Sequence, residues 1–339
     1  MRRWVFNTLL NEAATTGHPV FDPTKSSTFA PSEGFTFNIT YGDTSFARGG
    51  VGTDTVDIGG ATVTKQAIGL PSEISDSFKT DQKSDGLVGL GFTSLNTMRP
   101  RQQKTFFDNV SGDLDEPVLT AQLKHGGVGS YEFGRIDPAK FRGTMANISV
   151  DNSRGFWEFK STMFSIGNAS KIQTVAQGAS SAIADTGTTL MLINTEIVEA
   201  YYAQVTGARF SDGAQGFIFP CDATLPDLFV SVGDTHLAKI PGSLANFAVV
   251  GRDTVSKSSC ELYKTHLSII ISNHPYKLYS RSILLGNALL TDSLFLVVCF
   301  GGIQSNRGTS LQIYGDVFFK AIFVAFDLRG PSLGMAAHA

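Results

Sequence analysis

From Phe35 to Tyr41 every second residue is apolar: Phe35, Phe37, Ile39 and Tyr41 alternate with Thr36, Asn38 and Thr40. A period of two puts those four side chains on one face of a strand; a helix would need apolar residues three or four apart. Gly42-Asp43-Thr44-Ser45 supplies turn residues, a return strand runs through Val51 to Ile58, and Gly59-Gly60 turns the chain again. This reads as a β-meander with a projecting hairpin. Short apolar runs between turn residues dominate the rest of the 339 residues. Few stretches read as helix: Thr195 to Gln204, which starts with a capping-type residue and stops near Gly207, and Thr105 to Val110. Abundant Phe (26) and Gly (35) with only 17% charged residues suit a mostly β protein. The length is about two domains' worth at roughly 150 residues each.

Charge and side-chain inventory exclude several functions. A formal net charge of −3 offers no basic face for nucleic acid. The six histidines show no H-E-x-x-H or paired spacing, and three cysteines (Cys221, Cys260, Cys299) are too few for a Cys-built zinc site, so neither metal nor cofactor is expected. The most apolar stretch, Ile283 to Val298, is broken by Gly286, Asn287 and Asp292 and falls short of the ~20 residues a membrane helix needs. Met1-Arg2-Arg3 is followed by Trp4-Val5-Phe6 and then polar sequence, with no apolar run of signal-peptide length. Either the protein is cytosolic or its true beginning is missing. Four N-x-[ST] sequons, at Asn38, Asn109, Asn147 and Asn168, fit a secretory route, although Ser/Thr-rich chains also produce sequons by chance.

One carboxylate stands out. Ser181 to Ile193 reads SAIADTGTTLMLI, with Asp185 between apolar, strand-like segments. Gly187 permits a tight backbone approach, and the threonine hydroxyls and backbone N–H groups can hold a carboxylate in a fixed plane. A turn aspartate with hydrogen-bonding threonines is the plainer reading of D-T-G alone. The apolar flanks favour the other, because a carboxylate among them is costly unless it is held and used. Asp85-Gly86-Leu87-Val88-Gly89-Leu90 and Leu311-Gln312-Ile313-Tyr314-Gly315-Asp316 share an apolar-apolar-Gly pattern, a hint of internal duplication.

IADTGTTLMLI followed by YYAQVTGA resembles the second active-site loop of the pepsin-like aspartic proteases. The resemblance runs along nearly the whole chain: FDPTKSSTF (21–29), ITYGDTSFARG (39–49), SDGLVGLGFTSLNT (84–97), DNSRGFWEF (151–159), LPDLFVSVGD (225–234), GGIQSN (301–306), IYGDVFFKAIFVAFD (313–327) and GPSLGMA (330–336). It is most similar to the fungal, penicillopepsin-type enzymes. The resemblance implies a mostly β, two-lobed fold with a cleft between the lobes. Residues 1–150 would form an N-terminal lobe carrying the flap, and residues 151–339 a C-terminal lobe carrying the D-T-G loop. It implies a secreted, monomeric endopeptidase acting on polypeptide substrates at acid pH without a cofactor. Each lobe would supply one aspartate, and the pair would share a proton. Carried over residue by residue, Asp185 is the second catalytic aspartate. Gly187, Thr188 and Thr189 would hydrogen-bond the dyad and the substrate backbone. Tyr41, Gly42 and Asp43 would sit on a flap that closes over substrate, with Trp4 packed behind Tyr41. Phe78 and Leu87 would line the primary apolar pocket, and Asp43 is associated with tolerance for Lys before the scissile bond.

Two departures qualify the expectation. Arg3-Trp4-Val5-Phe6 matches the tail of the motif that follows the first D-T-G, so the first aspartate and the first strands of the N-terminal lobe are missing from the chain, and the chain as written is expected to be inactive. Residues 261–299 form an atypical Leu/Ile-rich, Gly-poor insertion, read as a translated intron and expected to be extruded from the fold. The resemblance implies one disulfide from Cys221 to the cysteine before Gly-Gly-Ile-Gln; Cys260 and Cys299 compete for it, and Cys260 is expected once the insertion is set aside. Rival readings are a non-catalytic pepsin-like binding protein, a retroviral-type half-enzyme, a serine hydrolase built on Gly330-Pro331-Ser332-Leu333-Gly334, and an unrelated β-sandwich. That last G-x-S-x-G lies too near the end for a helix to follow.

Overall fold

The computed structural model describes residues 3–254 and 295–339. It is mostly β, with several sheets. The first sheet contains β1 (Arg3–Val5), β2 (Ala30–Thr40), β3 (Phe46–Ile58), β4 (Ala61–Ile74) and β5 (Gly86–Val88), in the order β2-β3-β4-β1-β5. Then come β6 (Val118–Gln122), β7 (Ser130–Phe133), β8 (Phe141–Ser149), β9 (Glu158–Lys160), β10 (Met163–Ile166), β11 (Gln173–Thr174), β12 (Ser181–Ala184) and β13 (Met191–Ile193). The remaining strands are β14 (Arg209–Ser211), β15 (Gly216–Pro220), β16 (Leu228–Val232), β17 (His236–Ile240), β18 (Asn246–Thr254), β19 (Phe295–Gly301), β20 (Ile303–Ser305), β21 (Gln312–Tyr314), β22 (Ile322–Asp327) and β23 (Ser332–His338).

The alternation in Phe35 to Tyr41 folds as its period demands. Phe37 and Ile39 are buried while Asn38 and Thr40 face solvent. The hairpin closes where the turn residues stand: Tyr41 N donates to Ser45 O (2.8 Å), and Thr44 takes the left-handed backbone with φ +71°. The Asp43 carboxylate caps the turn by accepting from Ser45 N (3.0 Å) and Ser45 Oγ (2.6 Å). The helices are short: α1 (Glu12–Thr15), α2 (Asp76–Thr80), α3 (Phe106–Val110) and α4 (Thr195–Tyr202). Thr105 and Asp108 form a capping box for α3. At α4 the expected cap shifts by one residue. Asn194, not Thr195, occupies the N-cap, and its amide serves tertiary structure by bonding both Ala179 N and Ala179 O (2.8 Å each).

Among the described residues two apolar cores form. One gathers Trp4, Phe6, Phe37, Ile39, Ala47 and Val51 within the first sheet. The larger joins the second half of the chain to α3 and β6. The sheet ordered β7-β6-β22-β23-β8 draws strands from both sides of residue 150, so the C-terminal strands close back on the first half.

The pairing of Cys221 is decided by sheet register. β19 lies between β15 and β18, with Cys299 opposite Phe219, and Cys221 N donates to Val297 O (3.0 Å). This brings Cys221 and Cys299 to a Cα separation of 4.9 Å, and they are bonded. The expected preference for Cys260 is therefore corrected; Cys260 itself lies outside the described residues. The expected insertion is corrected at its C-terminal end as well. Residues 295–299 are a sheet strand, with Thr254 paired to Phe295 across the hairpin, while 261–294 lie outside the described residues. Among the described residues no helix is long and apolar enough to cross a membrane.

Non-reducing peptide mapping should show Cys221–Cys299, unchanged in Cys260→Ser. Cys299→Ser should cost about 2–5 kcal/mol of stability by chemical denaturation, as loss of a native bridge does. Deleting 261–294 should keep the bridge, because it leaves β18 and β19 whole. Deleting 261–299 removes five residues of β19 and should lower the melting temperature. Equal melting temperatures for the two deletions would contradict the integration of β19.

Candidate active site

Asp185 is held where three strands meet. β12 runs parallel to β21, with Ala184 opposite Tyr314, and β13 runs antiparallel on the other side of β21, with Met191 opposite the same tyrosine. The chain must therefore cross the end of β21 between Ala184 and Met191, and the loop it makes is Asp185 to Leu190. Main-chain bonds pin the crossing: Asp185 N to Tyr314 O (3.1 Å), Asp316 N to Thr188 O (2.7 Å) and Val317 N to Thr189 O (3.3 Å). The approach is close enough to require glycine beneath it. A Cβ at Gly315 would lie 2.2 Å from Leu190 O and 2.3 Å from Thr188 O.

Within that loop both carboxylate oxygens are held. Oδ1 of Asp185 accepts from Gly187 N (3.0 Å) and Oδ2 from Thr188 Oγ1 (2.8 Å). Gly187 and Thr188 thus contact the carboxylate directly. Thr189 engages through its main-chain carbonyl. Asp185 is half-buried, and Gly187 and Thr189 are exposed.

A second group assembles around Trp4, which is fully buried. Its indole Nε1 donates to Tyr41 Oη (2.8 Å). The Phe78 ring stands edge-on to both Trp4 and Tyr41, at centroid distances of 5.0 and 5.6 Å. Leu87 lies directly opposite Trp4 in the β1–β5 pairing. The structure thus brings together Tyr41, Phe78 and Leu87, all half-buried against the first core, while the Asp185 loop is built on the second. Gly42 and Asp43 sit at the exposed hairpin tip.

The two groups rest on the same strand arrangement. β1 pairs parallel with β4 and antiparallel with β5, as β13 pairs parallel with β20 and antiparallel with β21. The registers match: Trp4 opposite Leu87 corresponds to Leu192 opposite Ile313. This realises the duplication hinted at by the two apolar-apolar-Gly segments. One element differs. β21 carries β12 on its second edge, whereas β5 is the edge strand of its sheet among the described residues.

Sequence reasoning missed two residues that support these groups. Tyr131, on β7, stands within electrostatic reach of Thr186, Asp316 and Asp185; its phenol is pushed up, chiefly by desolvation, with the Asp316 and Asp185 carboxylates adding to it. Nothing in the local pattern of β7 marks it. His18 has no exposed side-chain surface and stacks on Phe6 at 4.0 Å with an interplanar angle of 13°. Its Nδ1 lies 3.1 Å from Asp85 Oδ1 and its Nε2 3.3 Å from Lys79 O. It therefore ties the end of α2, which carries Phe78, to the residue that opens β5. The only sequence signal was a histidine after a glycine. Among the described residues no group of three or more His, Cys, Asp or Glu is placed to hold a metal.

His18→Leu should lower stability by about 1–3 kcal/mol, because it removes the donor to the Lys79 carbonyl and leaves Asp85 without its partner. His18→Gln, which keeps a donor, should lose less. Urea unfolding measures both, and equal stability of wild type and His18→Leu would refute the tie.

A model of the eukaryotic aspartyl protease family matches residues 2–338. The chain is 56% identical over 336 residues to the aspartic protease PEP3 of Coccidioides posadasii, covering 99% of this chain and 67% of that one. An aspergillopepsin A-like aspartic endopeptidase of Aspergillus fumigatus is 54% identical over 334 residues, covering 98% and 69%. Penicillopepsin-1 of Penicillium rubens is 40% identical over 336 residues, covering 99% and 72%.

Proposed function

The chain belongs to the eukaryotic aspartyl proteases, and we propose that Asp185 is one of two aspartates with which it hydrolyses peptide bonds. The observation that carries this reading is the grip on the Asp185 carboxylate. Its two oxygens are bonded separately, one to a main-chain N–H and one to a hydroxyl, and the loop between is pinned to β21. A carboxylate fixed in this way can share a proton with a second one facing it, because two carboxylates about 3 Å apart do not both ionise readily. The pair takes a proton from water as it attacks the peptide carbonyl and gives one to the leaving amine. Acid pH follows, since one proton must remain on the pair.

The repeated strand arrangement supports a second carboxylate on the first half of the chain. Asp185 precedes Met191 by six residues, and Met191 corresponds to Arg3 in the matched registers. In this reading no residue from 1 to 339 stands at the position that corresponds to Asp185. In this reading residues 1–150 and 151–339 are the two lobes, and substrate binds between them. Phe78 and Leu87 offer an apolar wall to bulky side chains, and Tyr41 is braced by Trp4 for closure over the peptide. Secretion and a monomeric state belong to the same reading.

The 339-residue polypeptide alone should show no turnover, and a longer chain carrying an upstream Asp-Thr-Gly should cleave peptides between bulky apolar residues at acid pH with sensitivity to statine-type inhibitors. Robust inhibitor-sensitive cleavage by the 339-residue chain would overturn the placement of the second aspartate. In the longer chain Asp185→Asn should abolish turnover while circular dichroism stays unchanged; near-normal kcat would remove Asp185 from the pair.

Asp43 is exposed at the hairpin tip, where its carboxylate can meet a substrate ammonium. Asp43→Ser retains a side-chain acceptor for Ser45 N, so the turn should persist while the charge is lost. The kcat/KM ratio for a Lys peptide against a Phe peptide should fall, and an unchanged ratio would refute the role.

A further inference from the structure

The four sequons, which the catalytic reading leaves unused, stand in different surroundings. Asn109 lies in α3 with Val110, its neighbour in the sequon, in the core. Its Nδ2, the atom that would carry a sugar, donates to Gln66 Oε1 (2.9 Å), and Gln66 is 1% exposed. Asn38 and Asn147 are exposed but sit on strands, opposite Arg48 and Gly334.

Asn168 differs from all three. It lies in the turn between β10 and β11, where every residue from 167 to 174 is exposed. Gly167 enters the turn with φ +73°, a conformation that favours glycine. Lys171 N donates to Asn168 O (3.1 Å), and the hydroxyl of the fully buried Ser165 bonds that same carbonyl from below. The turn is therefore held in shape by its main chain. The amide Oδ1 of Asn168 accepts from Ser170 N (2.9 Å), which fixes the side chain, while Nδ2 has no partner among the described residues. The nucleophilic end of this amide is thus in water on a firm support, and a large substituent there displaces no packed atom.

We propose that Asn168 carries an N-linked glycan and that Asn109 does not. The inference rests on the secretory passage proposed above, which supplies the co-reactant, a lipid-pyrophosphate-linked oligosaccharide. In the transfer, Asn168 Nδ2 forms a bond to the sugar C1, the bond from C1 to the pyrophosphate oxygen breaks, the amide loses one proton, and the lipid pyrophosphate leaves. Asn109 is a poor acceptor in the folded protein because a sugar on its Nδ2 would have to share the space in which that amide reaches the buried Gln66.

The test expresses the full 339-residue chain behind a cleavable secretory leader in a fungal host. Removal of glycans with an amidase in heavy-oxygen water converts each glycosylated Asn to labelled Asp, read by peptide mass mapping. The expected result is label at position 168 and none at 109. Asn168→Gln and Ser170→Ala should each remove the mobility shift of one glycan, and Ser170→Thr, which keeps the sequon, should retain it. An exported chain without label at 168, label at 109, or an unchanged shift in Asn168→Gln would overturn the proposal. Because the leader is supplied, the result is separate from the natural route. A native chain that stayed inside the cell would contradict the secretion reading and leave the assignment of Asn168 standing.

Discussion

The crossing of the Asp185 loop over β21 is the constraint on which the candidate site depends. β12 and β13 flank the same strand, so the six residues between them have no route except across its end. Asp185 N and Asp316 N supply the bonds that hold them there. Gly315 makes the crossing possible, since any Cβ at that position would collide with two carbonyl oxygens. Once the main chain is fixed, Gly187 and Thr188 are within reach of the carboxylate and no further element is needed to orient it. Tyr314, at the centre, is buried; its hydroxyl is hydrogen-bonded to Ser161 (2.6 Å), and its phenol is pushed up chiefly by that burial. A polar group so deep is tolerated because its hydrogen bond is made.

The first half of the chain uses the same device for a different end. β1 and β5 reproduce the pairing of β13 with β21, but the residues at the matched register are Trp4 and Leu87. An indole in that position fills the core and still presents one donor, which reaches Tyr41 at the base of the hairpin. Tyr41 and Phe78 are therefore braced by the sheet that repeats the strand arrangement of the Asp185 loop. His18 completes the bracing from below by binding the end of α2 and the start of β5 at once.

The disulfide was a choice that spacing could not make. Doubling a loop changes its closure entropy by only about 0.6 kcal/mol, so neither Cys260 nor Cys299 was favoured by distance along the chain. Cys299 pairs with Cys221 because β19 is stitched into a sheet between β15 and β18, a contact between segments far apart in sequence. The reading of 261–299 as one extruded unit failed at its last five residues for the same reason. The run Phe295 to Val298 looked foreign by composition, yet it belongs to β19, which is paired on both edges.

Local chemistry was enough to mark the β-rich fold, the hairpin at Tyr41 to Ser45 and Asp185 with its two holders, because each depends on residues within a few positions of one another. Alternation specifies a strand face, Asp43 and Ser45 close their own turn, and a carboxylate followed by Gly and Thr carries its own donors. Tyr131 beside Thr186, His18 beneath Phe6, the choice of Cys299 and the outward amide of Asn168 were not legible in that way. Each depends on which distant segment arrives alongside, and only the register of the assembled sheets sets that.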